Sequence, residues 1–239
     1  NDERRTAWYE AAIREALRSM KTPAASEGGV VSVDLGAGTG LLSLLVARLG
    51  DEQDLLTHSL AIEAEEGLAG LATRLAQENG YAERLEIFCG MSTSLSSLPG
   101  GRGRAGLCVH EIFGSDPLSE RVLPTLRHAR LNLWSPGVTV VPRSFDLVCA
   151  LCQGSCCTQW FQPPASIHSV REVGSIFAAA APVAEAAPEM LLWQLSLANG
   201  AASGSEDFLW LSEPMVVGSY DMLRLIDEVP LEETVEIFG

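Results

Sequence analysis

The feature that most constrains this chain is a glycine-rich segment directly after a short run of β-branched residues. Residues 30–35 predict a buried strand, residues 36–40 are rich in glycine, and residues 41–49 predict a helix that Gly50 ends. In this order, the start of the helix offers unpaired backbone N–H groups to an anionic ligand, and glycine lets the backbone approach that ligand without a Cβ clash. The segment therefore predicts a cofactor site at the carboxyl end of the first strand.

The spacing of the glycines distinguishes between cofactor classes. The segment that begins at Asp34 reads Asp-x-Gly-x-Gly-x-Gly, whereas a dinucleotide fingerprint would need its third glycine at the position of Leu41. This disfavours a nicotinamide oxidoreductase. The pattern resembles the first motif of class I methyltransferases, whose cofactor is S-adenosylmethionine. That resemblance implies that the following residues bind the cofactor: Asp34, Gly36, Gly38 and Gly40.

The first half of the chain alternates predicted strands and helices. Further strands are predicted over residues 55–62, 85–89 and 107–109, and further helices over residues 6–20, 65–79 and 117–133. In the first helix, the periodicity places Trp8, Ala12, Ile13 and Leu17 near one face. Strands that alternate with helices predict an α/β fold with a parallel, doubly wound sheet.

The pattern changes after Pro136-Gly137, where short strand-like runs such as residues 138–141 and 144–151 are separated by polar turns. These runs predict antiparallel β structure. We therefore expect two domains. Residues 1–142 would form a methyltransferase domain with an N-terminal helix, and residues 143–239 a β-barrel-like domain for substrate binding and dimerisation that is incomplete in this chain.

Three further residues are predicted to contact the cofactor. Glu63 ends the second strand, where an acidic side chain can accept both ribose hydroxyls. Met91 and Ser92 follow the third strand, at the usual place of adenine in such enzymes. Met91 would pack on the face of the base and Ser92 would hydrogen-bond to it, although an ordinary loop at this place is an equal alternative.

A second motif follows the predicted fourth strand. Residues 111–120 read Glu-Ile-Phe-Gly-Ser-Asp-Pro-Leu-Ser-Glu and resemble the double-glutamate loop of protein arginine methyltransferases, including its interval of 9 positions between the glutamates. Leu123-Pro124 also fits. The resemblance implies that Glu111 and Glu120 are catalytic and grip the substrate guanidinium, a planar cation that carboxylates hold with paired hydrogen bonds. Asp116, inside the loop, would help attract basic sequences.

The N-terminus is similar to the first helix of the same family, which folds over the cofactor. The matching pattern is Asp2-x-x-Arg5-x-x-x-Tyr9-x-x-x-Ile13. It implies that Arg5 holds the methionine carboxylate of the cofactor and that Tyr9 lines the arginine pocket. Within the family, residues 211–214 and 219–221 favour the subtype conventionally numbered seven, which implies monomethylation.

One family feature is missing from this sequence. The family carries a Thr-His-Trp-type loop late in its barrel, but none of the 4 histidines here is followed by tryptophan. The chain is either truncated or a divergent member with an incomplete site. Two alternative functions stay open, a methyltransferase with a different acceptor and a catalytically silent binding domain.

Composition adds expectations about partners and location. The formal net charge of -15 attracts cationic partners and repels nucleic acid and membrane phosphate. Charge alone favours a simpler role in solubility, and it supports arginine-rich protein substrates only in combination with the family resemblance. The charged N-terminus and the lack of a long apolar run predict neither a signal peptide nor a membrane span, so we expect a cytoplasmic or nuclear protein. The family resemblance implies a homodimer or a tandem pseudo-dimer, with an arm near residues 153–174.

The cysteines are expected to be reduced structural thiols. Of the 6 cysteines, Cys89 and Cys108 lie in apolar strand-like runs and are predicted to be buried. The remaining four are clustered between Cys149 and Cys157, but no histidine spacing typical of zinc sites follows them. We therefore predict no metal site.

Overall fold

The computed structural model describes residues 3–21, 29–113, 121–154 and 208–228. The helices in this part of the chain are α1 (Glu3–Met20), α2 (Leu41–Glu52), α3 (Glu66–Glu78), α4 (Val122–Asn132) and α5 (Met222–Glu228). The strands are β1 (Val30–Leu35), β2 (Thr57–Glu63), β3 (Leu85–Cys89), β4 (Ala105–His110), β5 (Trp134–Val141), β6 (Ser144–Cys149), β7 (Cys152–Gly154), β8 (Phe208–Trp210) and β9 (Met215–Asp221). Two 3-10 turns lie at Ser92–Ser94 and Pro99–Gly101.

Strands β1 to β5 form a parallel sheet in the order β3-β2-β1-β4-β5. The chain builds outward from β1 to β3 and then returns to place β4 on the other side of β1. Because such crossovers are right-handed, the connecting helices on the two sides of β1 cover opposite faces of the sheet. This confirms the predicted doubly wound α/β fold. Ligands of such sheets bind at the carboxyl ends of the strands where the order reverses, which here are β1 and β4.

The N-terminal helix packs on the sheet through a narrow apolar stripe. Ile13 and Leu17 of α1 are fully buried and belong to one hydrophobic cluster with residues of α2, β1, β4 and β5. The prediction that Trp8 and Ala12 share this face was wrong, because Trp8 is 75% exposed and Ala12 is exposed too. The buried positions continue instead through Ala16, at the spacing of three and four residues that an amphipathic helix buries.

Two positions that were predicted to interrupt secondary structure lie within a helix and a strand. Helix α2 continues through Gly50 to Glu52, because this glycine serves close packing. A Cβ at Gly50 would lie 2.6 Å from Thr57 Cγ2 and 2.8 Å from the Leu55 carbonyl oxygen. Strand β5 runs through Pro136-Gly137, because it is an edge strand of the sheet, where the missing N–H of proline needs no partner.

The described residues divide into two units. Residues 3–21, 29–113, 121–145 and 221–228 belong to the first, and residues 146–154 and 208–220 to the second. In the second unit, β7 and β8 pair antiparallel, in agreement with the predicted change to antiparallel structure. Helix α5 belongs to the first unit, where Met222 and Ile226 are buried and Arg127 Nε of α4 donates to the Ile226 carbonyl oxygen at 2.9 Å. The division after residue 142 remains a prediction.

The two strand cysteines differ in exposure. Cys108, in the interior strand β4, is fully buried as predicted. Cys89 was predicted to be buried but is exposed, since it is the last residue of β3, which is an edge strand of the sheet.

Among the described residues, no cluster of His, Cys, Asp and Glu side chains could hold a metal ion. Cys156 and Cys157 lie outside the described residues. None of the described helices has the length and hydropathy of a membrane span.

Candidate active site

Asp34 connects the glycine loop after β1 to the helix that follows it. Its Oδ2 accepts hydrogen bonds from Ser43 N at 3.1 Å and Ser43 Oγ at 2.8 Å, which ties the end of β1 to the first turn of α2. Asp34 is only 1% exposed. Its side chain therefore shapes the loop, and the cofactor-binding role implied for Asp34 remains a prediction. Burial raises the pKa of Asp34 to about 7, against the lowering effect of the hydrogen bonds from Ser43.

Two glycines of the loop have different surroundings. Gly36 and Gly38 have positive φ values of 68° and 55°, which favour glycine. A Cβ at Gly36 would lie 2.5 Å from Ile112 Cγ2, so the loop after β1 touches the segment after β4. A Cβ at Gly38 would have no atom within 4 Å. The backbone at Gly38 thus borders open space that a ligand can enter. Two residues later, Gly40 has a φ of 78° and precedes α2.

Glu63 braces the same loop from the neighbouring strand. Its Oε2 accepts a hydrogen bond from Gly38 N at 2.7 Å, and its Oε1 accepts one from Glu65 N at 2.8 Å. The sequence predicted a ribose contact for Glu63 but not its hydrogen bond with Gly38, which joins residues 25 positions apart. A carboxylate has about four lone-pair sites, so these two bonds leave acceptor capacity for the hydroxyls of a ribose.

Met91 and Ser92 lie at the carboxyl ends of the strands, as do the glycine loop and Glu63. They follow β3, whose last residue, Cys89, pairs with Glu63 at the end of β2. Met91 is 54% exposed, whereas Ser92 is 8% exposed and begins a 3-10 turn. Ser94 Oγ closes this turn by donating to the Met91 carbonyl oxygen at 2.7 Å. The structure therefore brings the predicted adenine contacts next to the predicted ribose contact.

Helix α1 places two predicted site residues against the end of β4. Arg5 Nη1 donates to Glu111 Oε1 at 2.7 Å, and both side chains are partly exposed, by 54% and 37%. One turn further along, Tyr9 OH donates to the His110 carbonyl oxygen at 2.9 Å. The structure thus joins the residue predicted to hold the cofactor carboxylate to the residue predicted to hold the substrate guanidinium.

The electrostatics of Tyr9 link the two sides of the site. Burial raises the pKa of Tyr9 well above its usual range, and the negative charge of Glu111 raises it further. Arg5 acts in the opposite direction, and Asp34 in the same direction as Glu111. The phenol is therefore neutral at physiological pH and remains a hydrogen-bond donor. Groups from α1, β1 and the end of β4 all act on this one hydroxyl.

Three aromatic rings pack against one another around the first residues after β4, a contact that the sequence analysis did not predict. His110 is fully buried, and its ring lies 5.3 Å from that of Phe113, which lies 6.1 Å from that of Phe145. Burial lowers the pKa of His110 to about 4, so the imidazole is neutral at physiological pH. The segment 111–113 is therefore fixed from one side by aromatic packing and from the other by α1. Asp116 and Glu120 lie outside the described residues, and their roles remain predictions.

Comparison with known proteins finds relatives among the protein arginine N-methyltransferases. The chain is 30% identical over 164 residues to protein arginine N-methyltransferase 7 of Danio rerio, which covers 68% of this chain and 23% of that protein. It is 28% identical over 162 residues to the protein of the same name from Gallus gallus, which covers 67% of this chain and 22% of that protein. The chain thus spans about a quarter of the length of these relatives. No family model matches the chain.

Solved structures share the fold. The Trypanosoma brucei PRMT1 enzyme–prozyme heterotetrameric complex with AdoHcy superposes with a TM-score of 0.55 at 18% identity. The match covers 96% of this chain and 61% of that one. The described domain therefore has the class I methyltransferase fold that the glycine spacing predicted.

Proposed function

We propose that this chain, a relative of the protein arginine methyltransferases and of their subtype seven, transfers methyl groups from S-adenosylmethionine to arginine side chains of proteins. The observation that carries the proposal is the junction at the ends of β1 and β4. There the glycine loop touches Ile112, beside a glutamate that already accepts a hydrogen bond from a guanidinium group. The loop that would bind the methyl donor therefore lies beside a carboxylate that would bind the substrate cation.

The donor side fits an adenosyl ligand that bears an amino-acid group. Gly38 borders open space, and Glu63 is fixed by two backbone N–H groups with acceptor capacity left for ribose hydroxyls. Met91 and Ser92 would contact the adenine. Arg5, in the first turns of α1, would pair with the methionine carboxylate. These residues bind and orient the donor, which supplies an electrophilic methyl group on a sulfonium.

The acceptor side needs a carboxylate that fixes a guanidinium. Glu111, together with Glu120, would hold the substrate arginine by paired hydrogen bonds and draw its positive charge away from the attacking nitrogen. A nitrogen–carbon bond then forms as the sulfur–carbon bond breaks, and the electron pair of that bond stays on sulfur. One proton leaves the methylated nitrogen, so the product arginine keeps a single positive charge. Positioning and electrostatic stabilisation provide most of the rate enhancement.

The finer assignments extend this proposal. We infer monomethylation from the kinship with subtype seven. Arginine-rich protein substrates fit the net charge of -15, and Asp116 would attract them. The sequence composition supports a cytoplasmic or nuclear location, and the resemblance supports a homodimer or tandem pseudo-dimer.

A methyl-transfer assay with product analysis tests the proposal. The full chain is incubated with S-adenosylmethionine carrying a radiolabelled methyl group and an arginine-rich peptide, and the hydrolysed peptide is resolved into amino acids. Label in monomethylarginine is the expected result. The matched control is the same peptide with lysine at every arginine, which should remain unlabelled. Label in methyl-lysine would contradict the acceptor assignment, and cofactor binding without any labelled peptide would indicate a silent binding domain.

A further inference from the structure

The ion pair between Arg5 and Glu111 joins the two halves of the proposed site. Arg5 Nη1 lies 2.7 Å from Glu111 Oε1, and the two side chains are 54% and 37% exposed. Both groups can therefore be reached from solvent. Under the proposed function, Arg5 pairs with the carboxylate of the donor and Glu111 with the guanidinium of the substrate. In the ion pair, Arg5 thus contacts a carboxylate, as it would in the donor, and Glu111 contacts a guanidinium, as it would in the substrate.

We infer that donor and acceptor binding are positively coupled by exchange of this ion pair, an inference that rests on the proposed function. The carboxylate of the donor draws Arg5 toward itself, which frees Glu111 for the substrate guanidinium. Without the donor, the incoming guanidinium meets a carboxylate that already holds a guanidinium, and the two cations repel each other. By thermodynamic linkage, the substrate strengthens donor binding by the same factor.

The exposure of the pair makes the exchange feasible. Exposed ion pairs contribute little to protein stability, so a ligand carboxylate can replace Glu111 as a partner of Arg5 at little cost. A buried pair would resist such an exchange, because breaking it leaves an uncompensated charge. The same weakness limits the coupling, which we expect to be roughly twofold to fivefold in affinity.

The rest of α1 is held independently of this pair. Tyr9 keeps its own hydrogen bond to the end of β4. Further along α1, Ile13 and Leu17 are fully buried in the hydrophobic cluster beneath the helix. The helix therefore stays in place when the partner of Arg5 changes. The exchange is a movement of side chains, and Arg5 acts as a positioning residue for the acceptor site.

Two ligands that differ in their carboxylate test the inference. The affinity of the full chain for a fluorescent arginine-rich peptide is measured alone, with saturating S-adenosylhomocysteine and with saturating 5′-methylthioadenosine. The first ligand carries the amino-acid carboxylate and no sulfonium charge, whereas the second fills the adenosine site but lacks the carboxylate. We expect S-adenosylhomocysteine to tighten peptide binding roughly twofold to fivefold. Methylthioadenosine should leave the peptide affinity unchanged.

Variants assign the effect to the ion pair. In Arg5→Gln, the peptide should bind equally well with and without S-adenosylhomocysteine, at an affinity no weaker than that of the unliganded wild type. Arg4→Gln removes the same charge from the adjacent, exposed position and should keep the full coupling. Thermal unfolding of both variants checks that the fold is retained.

Several results would overturn the inference. These are equal peptide affinity of the wild type with and without S-adenosylhomocysteine, equal tightening by both ligands, and coupling that survives in Arg5→Gln. If the wild type nevertheless produces methylarginine, only the coupling fails and the proposed function stands. If it neither binds the peptide nor methylates it, both fail.

Discussion

The loop after β1 and the segment after β4 lie at the same edge of the sheet but are held in different ways. The glycine loop is fixed by side chains of its own strands, Asp34 of β1 and Glu63 of β2, through hydrogen bonds to the loop and to the start of α2. The segment after β4 is held largely from outside, by Arg5 and Tyr9 of α1. The glycine loop is thus fixed by the sheet itself, whereas the segment after β4 depends on a helix distant in sequence.

This difference indicates how the two sides respond to ligands. Asp34 is buried, and its carboxylate cannot change partners without leaving Ser43 unbonded. The Arg5–Glu111 pair is partly exposed to solvent, where ion pairs are weak. We therefore expect the donor side to be preorganised and the acceptor side to adjust when ligands bind.

The largest effect is expected where the two regions touch, at Gly36. Gly36→Ala adds a Cβ at positive φ, which costs about 1–2 kcal/mol, and forces aside the stiff, β-branched Ile112, which costs about 1–3 kcal/mol more. The matched variant Gly38→Ala meets no neighbouring atom and carries only the first cost. Urea unfolding measures both variants.

A double variant checks the cause of that difference. Ile112→Ala should restore part of the stability that Gly36→Ala loses, because it removes the clashing methyl group. Equal stabilities of the two glycine variants, or no coupling with Ile112, would show that the two regions are not in contact.

A second, smaller effect is the pH dependence of stability, which should have opposite signs for His110 in the region of β4 and for Asp34 in the region of β1. Burial lowers the pKa of His110 to about 4, so between about pH 6.5 and 4 the unfolded chain binds a proton that the folded chain does not. Its contribution to stability is therefore lost as the pH falls through this window. Burial raises the pKa of Asp34 to about 7, so its contribution declines as the pH rises from about 4 to 7.

Unfolding free energies of His110→Gln and Asp34→Asn across this pH range test both signs. Relative to the wild type, His110→Gln should gain about 2–3 kcal/mol as the pH falls from about 6.5 to 4. Relative to the wild type, Asp34→Asn should gain a similar amount as the pH rises from about 4 to 7. Parallel curves for the wild type and both variants would refute the burial of these two groups.

The smallest effect concerns Glu63 and is confined to the donor side. Glu63→Gln replaces a charged acceptor of the Gly38 N–H and of the ribose hydroxyls, so the affinity for S-adenosylhomocysteine should fall roughly tenfold. Isothermal titration calorimetry measures this loss. Glu66→Gln, in the exposed first turn of α3, is the matched control and should bind normally. An unchanged affinity of Glu63→Gln would remove Glu63 from the proposed cofactor site.

The sequence predicted those parts of the fold that depend on local pattern. The bounds of β1 and β3 agree with the prediction, because short apolar runs between turn residues specify buried strands. Gly50 and Pro136 were misread as breaks, because their effect depends on what lies beside them. Gly50 allows β2 to come close, and Pro136 lies in an edge strand.

The contacts that build the site were less accessible to sequence reasoning. The residue types of Glu63, Arg5 and Glu111 were recognised from motifs, but their mutual contacts were not. The Glu63–Gly38 bond spans 25 positions and the Arg5–Glu111 pair spans 106. Such contacts follow from the order of strands in the sheet and from the packing of α1, neither of which a single motif encodes.

Single-turnover methyl transfer by Glu111→Gln, with cofactor affinity measured in parallel, tests the central claim most directly. If Glu111 holds the substrate guanidinium beside a separately built donor site, methylarginine formation should fall roughly 100-fold or more. The affinity for S-adenosylhomocysteine should stay within about threefold, since the donor side keeps its own braces. Transfer at the wild-type rate by Glu111→Gln would contradict the account.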